Sequence, residues 1–156
     1  MAAVYYSPLE WVYWYSKPSD FASGFPELSW FDKIPSTWDE TRALAGQIGE
    51  YVVIARRERG TWYLGAMTSE RARVIHVPLD FLGPGSWQAY IYADGAPPDI
   101  PQQTPVVLSR QTVTGGTTLP LNLAPAGGQA RPSVSSSDAV HPQDVVISAR
   151  SMVTQA

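Results

Sequence analysis

The sequence has 156 residues, enough for one domain with a hydrophobic core. Its 14 prolines and 12 glycines interrupt it too often for a helical bundle, so an all-β core is favoured. The net charge is −3 and the 11 Lys and Arg residues are scattered, which predicts no basic surface for nucleic acid. The chain has no cysteine, which excludes disulfides and thiolate zinc sites. No apolar run reaches the roughly 18 residues of a membrane span, so a membrane is not an expected partner either.

The N-terminal residues 5–16 are predicted to form a helix, with Ser7 as its N-cap and Pro8 at its first position. Apolar residues surround this helix almost completely, which is typical of a helix that is buried on two sides. A second short helical segment is expected within residues 17–33. We therefore interpret residues 1–33 as a helical extension that precedes the main domain.

Residues 50–68 are predicted to form a β-hairpin, because β-branched and aromatic residues alternate along both arms. The segment Glu58-Arg59-Gly60 supplies the turn, and the return strand begins near Trp62. Alternate side chains of a strand point to opposite faces. One face of the return strand therefore carries Trp62, Leu64 and Ala66, and the other carries Tyr63, Gly65 and Met67. A glycine inside a strand predicts that another part of the molecule approaches closely at Gly65.

Further strands are predicted after the hairpin, separated by Gly and Pro turns. They cover residues 73–81, 87–92, 104–114 and 117–123. Many short strands of this kind indicate an antiparallel sandwich or barrel. The remaining residues 129–156 are rich in Ser and polar, and they are expected to form a largely disordered tail.

Six motifs between residues 34 and 125 occur in an order that resembles one known family. They are Ile34–Thr41 (IPSTWDET), Gly49–Arg57 (GEYVVIARR), Trp62–Ala66 (WYLGA), Asp80–Leu82 (DFL), Tyr90–Gly95 (YIYADG) and Leu123–Pro125 (LAP). Together they resemble the C-terminal region of glycoside hydrolase family 97, a group of bacterial α-glucosidases and α-galactosidases, over about residues 8–128. The resemblance implies that residues 1–33 end a (β/α)8 barrel and that residues 34–128 form a C-terminal β-sandwich. The expected fold is therefore an antiparallel β-sandwich with a short helical N-terminal extension.

The resemblance also implies a function without catalysis. In those enzymes the catalytic carboxylates, and the carboxylates that bind calcium, belong to the preceding domains. No catalytic residue, metal ligand or cofactor is therefore carried over to this chain. It is expected to act as a structural and association module in carbohydrate hydrolysis, a glycosidase fragment that is inactive alone.

The same resemblance bears on partners and location. The barrel that would cover one side of the N-terminal helix is absent, so self-association through its aromatic residues is expected. These residues are Tyr5, Tyr6, Trp11, Trp14 and Tyr15. Family resemblance implies a periplasmic or extracellular protein, but this sequence does not begin with the pattern of a signal peptide.

The titratable residues, considered by themselves, also predict no catalysis. Glycoside hydrolysis requires two carboxyl groups about 5 to 9.5 Å apart. Asp39 and Glu40 are neighbours in an extended segment and should face opposite ways, and Glu58 lies between two arginines at a turn. The other residues considered were Glu50, Asp80 and Asp94 at strand ends or turns, His76 on the polar face of a strand, and His141 in the tail. They show no metal-ligand spacing, so no metal site is predicted.

Glycan binding is the alternative hypothesis, because β-sandwiches can stack sugars on exposed aromatic rings. The candidate rings are Trp38, Trp62, Tyr63, Trp87, Tyr90 and Tyr92. Packing in the core is the preferred interpretation of these rings. If a platform for α-glucosides or other glycans exists, Trp62 is the first choice and Trp87 the second. A carbohydrate-binding module and a small glycoside hydrolase therefore remain as alternative functions.

Overall fold

The structure is a computed structural model, and it describes residues 3–5, 34–94, 106–125 and 144–151. These residues contain one short 3₁₀ helix, Asp80–Leu82, and eight strands. The strands are β1 (Glu40–Gln47), β2 (Tyr51–Glu58), β3 (Thr61–Thr68), β4 (Arg73–Pro78), β5 (Ser86–Asp94), β6 (Val106–Thr114), β7 (Thr118–Leu123) and β8 (Asp144–Ser151). The all-β class is confirmed. The expected helical extension lies almost entirely in residues 6–33, outside the described residues.

The strands form two sheets. A six-stranded sheet has the order β1-β2-β3-β8-β5-β6, and a two-stranded sheet pairs β4 with β7. The strand pairs are antiparallel except those of β8, which is parallel to both β3 and β5. The architecture is therefore mostly antiparallel, with one parallel strand in the middle of the larger sheet.

The strand β8 corrects the prediction of a disordered tail for residues 144–151; the rest of the range 129–156 lies outside the described residues. In β8, Ile147 is fully buried and pairs with Leu64 on one side and Ile91 on the other. A central strand has both of its backbone edges hydrogen-bonded. This long-range pairing stabilises a short segment that lies within a stretch of sequence predicted to be disordered.

The predicted hairpin is confirmed as β2 and β3, which pair antiparallel from Tyr51↔Thr68 to Glu58↔Thr61. Its turn consists of two residues, Arg59 with φ 47° and Gly60 with φ 91°. Positive φ at both central residues is the signature of a type I′ turn, whose twist matches that of the flanking strands.

The inner face of the six-stranded sheet packs against the two-stranded sheet. On β3 this face carries Trp62, Leu64 and Ala66, as predicted, and all three are buried. They meet Leu119, Leu121 and Leu123 of β7, which alternate with exposed residues along that strand. Burying a leucine side chain stabilises a fold by roughly 1.5 to 3 kcal/mol, so this layer dominates the stability.

The outer face of β3 carries Tyr63, Gly65 and Met67, and residues 3–4 lie against it. A Cβ atom at Gly65 would lie 2.7 Å from Cγ2 of Val4 and 3.2 Å from Cβ of Ala3. Arg56 holds the same segment, since its Nη2 donates to the carbonyl oxygen of Val4 at 3.0 Å. The prediction of a close approach at Gly65 is therefore confirmed.

Two segments differ from the sequence-based expectation. Residues 40–47, where the sequence predicts no strand, form the edge strand β1, whose pairing shifts between Ala43 and Ala45. The strand predicted over 73–81 ends at Pro78 and is followed by the 3₁₀ helix. Proline has no N–H to continue a strand ladder, which explains the early end of β4.

Within the residues that the structure describes, no helical segment has the length and apolar character needed to cross a lipid bilayer.

Candidate functional site

A cleft of about 560 Å³ lies at one end of the hairpin, which we call the cleft end. Glu40 and Arg42 come from β1, Arg57 from β2, and Gly60 from the turn between β2 and β3. The lining of the cleft also includes Trp62, Phe81, Leu82, Gly83 and Trp87. The volume is in the range of small-molecule pockets, about 300 to 1,000 Å³.

Strand register brings the polar residues of this cleft together. Glu40 is opposite Arg57, and Arg57 is opposite Trp62, so the three form a row across β1, β2 and β3. Directly paired residues share a face of the sheet, and Trp62 lies on the inner face. The row is therefore the continuation of the inner face at its end, where charged residues replace aliphatic ones.

Glu40 accepts a hydrogen bond from Arg42 and forms an ion pair with Arg57. Nε of Arg42 lies 2.6 Å from its Oε1, and Nη2 of Arg57 lies 3.1 Å from its Oε2. Both guanidinium groups also lie over the indole of Trp62, at 5.5 and 5.7 Å from its centroid, within the range of cation–π contacts. The side chains of Arg42 and Arg57 remain 48% and 41% exposed, so solvent and ligands can reach them.

The two aromatic residues selected from the sequence, Trp62 and Trp87, line this cleft together. Trp62 is only 3% exposed, because Phe81 packs edge-on against it at 4.8 Å and the two arginines lie over its ring. It therefore offers no open ring face for a sugar, contrary to its ranking as first choice. Trp87, the second choice, is only partly buried and is the aromatic ring that the cleft leaves accessible.

The carboxylates considered as catalytic residues are held apart. Asp39 accepts a hydrogen bond from the backbone N–H of Arg59 at 2.9 Å, whereas Glu40 lines the cleft. Glu58 pairs with Arg59, and Glu50 pairs with Arg73 at the other end of the hairpin. Asp80 and His76 are exposed, while the side chain of Asp94 and all of His141 lie outside the described residues. Among the described side chains, Glu40 is the one carboxylate in the cleft, and no three His, Asp or Glu residues stand together in a way that could hold a metal ion.

The opposite end of the hairpin, which we call the clamped end, has its own Arg–Glu pair. Nη2 of Arg73 donates to the carboxylate of Glu50, and its Nη1 donates to Oγ1 of Thr68 at 2.8 Å and to Oγ of Ser69 at 3.3 Å. Arg73 begins β4, whereas Glu50 and Thr68 belong to the hairpin. This arginine therefore ties the small sheet to the large one.

The outer face carries a second group of rings, remote from the cleft. Trp38 contacts Tyr63 edge-on at 5.2 Å, and the guanidinium of Arg110 lies 5.0 Å from the ring centroid of Tyr90. Burial raises the pKa of the Tyr92 hydroxyl above its usual value, and the nearby Arg110 partly opposes that shift. These rings form one apolar cluster with Ala3, so they belong to the support of the sheet.

Sequence reasoning missed Arg42 and Arg57 as site residues. A signal for Arg57 was present, because it continues the inward-facing series of Val53 and Ala55 along β2. A charged residue in such a series marks a position where the core is open to solvent. No comparable signal existed for Arg42, because β1 was not recognised as a strand.

A family model described as "Glycosyl-hydrolase 97 C-terminal, oligomerisation" matches residues 37–132, more than half of the chain. Among curated proteins, the retaining alpha-galactosidase of Bacteroides thetaiotaomicron is 40% identical over 78 residues, which cover 50% of this chain and 12% of that protein. The probable retaining alpha-galactosidase of Streptomyces bingchenggensis is 37% identical over 99 residues, covering 64% of this chain and 14% of that protein. This chain thus spans about one seventh or less of the curated relatives that it matches.

Solved structures agree with these matches. A glycoside hydrolase family 97 enzyme in complex with acarbose, from Pseudoalteromonas sp. strain K8, superposes with a TM-score of 0.56 at 34% identity. The superposition covers 63% of this chain and 16% of that one. With the family model, the curated relatives and the fold in agreement, the chain belongs to the family of glycosyl-hydrolase 97 C-terminal oligomerisation domains.

Proposed function

We propose that this chain is the non-catalytic, structural and association module of a family 97 type α-glycosidase. The description of its family names oligomerisation, and the curated relatives are named as retaining alpha-galactosidases. The chain corresponds to a small part of those proteins, so its role is to support a catalytic unit and not to replace one.

One observation carries the non-catalytic part of the proposal. Glu40 is the one described carboxylate in the cleft, and two arginines hold it. Retaining and inverting glycosidases alike need a second carboxyl group across the substrate, one of the two acting as a protonated acid. An ion-paired carboxylate without such a partner supports ligand contacts or folding and does not perform acid–base catalysis.

Activity is tested with p-nitrophenyl α-galactoside and p-nitrophenyl α-glucoside, each with and without calcium. We expect no turnover by the purified chain. Turnover that persists through further purification and is abolished by Glu40→Gln or Glu50→Gln would overturn the non-catalytic assignment. Inactive variants that remain folded by circular dichroism would exclude simple unfolding.

The association part places the contact surface in the N-terminal residues. Ala3 and Val4 are buried against the outer face, whereas Tyr5 is 54% exposed. We propose that aromatic residues after Tyr5 provide the surface for a second copy. Because deletion of residues 1–33 would also remove Ala3 and Val4, substitution is the cleaner experiment.

Multi-angle light scattering at tens of micromolar compares the full chain with a Trp11→Ser/Trp14→Ser/Tyr15→Ser variant. We expect dimers or larger species for the full chain and a monomer for the variant, with equal strand content. A Val74→Ser variant, which removes an exposed apolar side chain from β4, serves as the control and should not change the mass. A monomeric full chain would contradict the association role.

Carbohydrate binding is a second candidate function, favoured by the cleft and its accessible Trp87. An aromatic ring beside polar side chains is a common arrangement for a sugar, because the apolar face of a pyranose packs on the ring while the hydroxyls are hydrogen-bonded. Titration with glucose and galactose, followed by NMR, tests it. Trp87→Ala should remove binding, whereas Tyr90→Ala, on the outer face of the same strand, should leave it unchanged.

A further inference from the structure

We propose that the cleft selects saccharides that carry a carboxylate, that is, uronic acid residues, over neutral sugars. This inference rests on the candidate carbohydrate-binding function and concerns the same cleft. It follows from the charge of the lining, from donor groups that the described residues leave unused and from the position of the rings.

The charged side chains of the lining are unbalanced. Two arginines and one glutamate contribute +2 and −1, so the cleft has a net charge of +1 in a chain whose total is −3. A ligand with one carboxylate would make the site neutral, whereas a neutral sugar leaves the excess charge in place. A carboxylate that enters the cleft is attracted by this excess positive charge, even where solvent partly screens the interaction.

Arg42 keeps hydrogen-bonding capacity for such a ligand. Its Nε donates to Glu40, and its two terminal Nη groups have no acceptor among the described residues. The planar guanidinium presents its N–H groups in a fork that matches both oxygens of a carboxylate. Because the side chain is 48% exposed, that fork is accessible from the cleft.

Trp62 acts as a positioning residue for this pair of arginines. Its indole is buried, and both guanidinium groups lie over it. Glu40 restrains them from another side, with both carboxylate oxygens engaged. Two long side chains are therefore already ordered, which lowers the entropy lost when a ligand binds.

Trp87 supplies the contact for the sugar ring. It lines the same cleft as the arginines and is the accessible aromatic ring there. Gly60 and Gly83 also line the cleft and add no side chains to it. A volume of about 560 Å³ accommodates a monosaccharide, so one ligand can contact Trp87 and the arginines at once.

The experiment titrates the full chain with three probes: D-glucuronate, D-glucose and acetate. D-Glucose is the same ring without the carboxylate, and acetate is the carboxylate without the ring. Binding is followed by NMR through the indole N–H of Trp87 and the amides of Gly60 and Gly83. We expect D-glucuronate to bind about tenfold more tightly than D-glucose, in line with charge-assisted hydrogen bonds in a partly exposed site, and more tightly than acetate.

Substitutions of the two arginines test whether they cause the preference for D-glucuronate. Arg42→Gln should remove the preference, because it lowers the affinity for D-glucuronate about tenfold more than the affinity for D-glucose. Arg57→Gln should act the same way, and it serves as the second variant if the first does not fold. Arg71→Gln, which removes the same charge from an exposed residue outside the cleft lining, should change neither affinity.

The outcomes separate this inference from the function on which it rests. Equal affinities for D-glucuronate and D-glucose would overturn the acidic preference and leave carbohydrate binding intact. Acetate binding as tightly as D-glucuronate would show a carboxylate site without a sugar component, which also overturns the inference. No shift at Trp87 with any probe would overturn both.

Discussion

The two ends of the β2–β3 hairpin each place glutamate beside arginine, and they use them differently. At the clamped end, Arg73 is 15% exposed and its donors go to Glu50, Thr68 and Ser69. At the cleft end, Arg42 and Arg57 are about half exposed and share Glu40. The first cluster joins two sheets, whereas the second borders a cleft.

A structural ion pair and a ligand site can look alike in sequence. Both clusters have opposite charges on neighbouring strands. They differ in whether the arginine donors have acceptors within the protein and in whether a second layer covers them. Where donors are satisfied and covered, substitution should lower the stability; where they are free and accessible, substitution should alter binding and leave the stability nearly unchanged.

Substitution at the clamped end should destabilise the fold most. Arg73→Gln removes a charge-assisted hydrogen bond and the bonds to Thr68 and Ser69, and it leaves the buried Thr68 hydroxyl with fewer partners. We expect the free energy of unfolding to fall by about 2 kcal/mol. Urea denaturation measures it, with Arg71→Gln as the control that removes the same charge from an exposed side chain. A loss equal to that of the control would remove the distinction between the two ends.

The next effect tests the middle of the hairpin, where residues 3–4 cover the outer face. Gly65→Ala should lower the free energy of unfolding by about 1.5 kcal/mol, because the new methyl group overlaps Val4 and Ala3. Gly46→Ala is the matched control, since its Cβ would come no closer than 3.4 Å to another atom.

A double-mutant cycle then identifies the contact. In Gly65→Ala/Val4→Ala the colliding Cγ2 atom is absent, so the combined loss should be smaller than the sum of the two single losses. Additive losses would show that residues 3–4 do not pack at Gly65. The cycle is measured by the same urea denaturation.

The sequence determined the local features of this molecule more clearly than the long-range ones. The hairpin, its turn and the two faces of β3 follow from alternation and from one glycine, which are local signals, and the structure confirms them. Strand β8 pairs with β3 and β5 across long stretches of chain, and nothing within its own residues specifies that position. The same limit applies to the cleft: register across β1, β2 and β3 brings Glu40, Arg57 and Trp62 together.

The glutamates at the two ends should also differ in their contribution to stability. Glu50→Gln should lower the free energy of unfolding by about 1 kcal/mol, because it leaves the mostly buried Arg73 without a charged partner. Glu40→Gln should change it by less than about 0.5 kcal/mol, because both arginines there reach solvent. Equal stability losses at the two positions, again by urea denaturation, would contradict the assignment of the cleft end as a ligand site.

The turns at the two ends also differ, and here a substitution should raise the free energy of unfolding slightly. The turn at the clamped end places Gly49 at φ 76°, whereas the turn at the cleft end has Arg59, the one described non-glycine residue with positive φ, at 47°. A left-handed backbone costs an ordinary L-residue roughly 1 to 2 kcal/mol, and asparagine tolerates it better.

Arg59→Asn creates the Asn-Gly pair that type I′ turns prefer, and it preserves the backbone N–H that donates to Asp39. The exposed ion pair with Glu58 contributes little, so we expect a gain of about 0.5 kcal/mol in the free energy of unfolding. Thermal and urea denaturation measure this gain, and a loss of stability would mean that the guanidinium of Arg59 supports the cleft end by more than its turn geometry disfavours it.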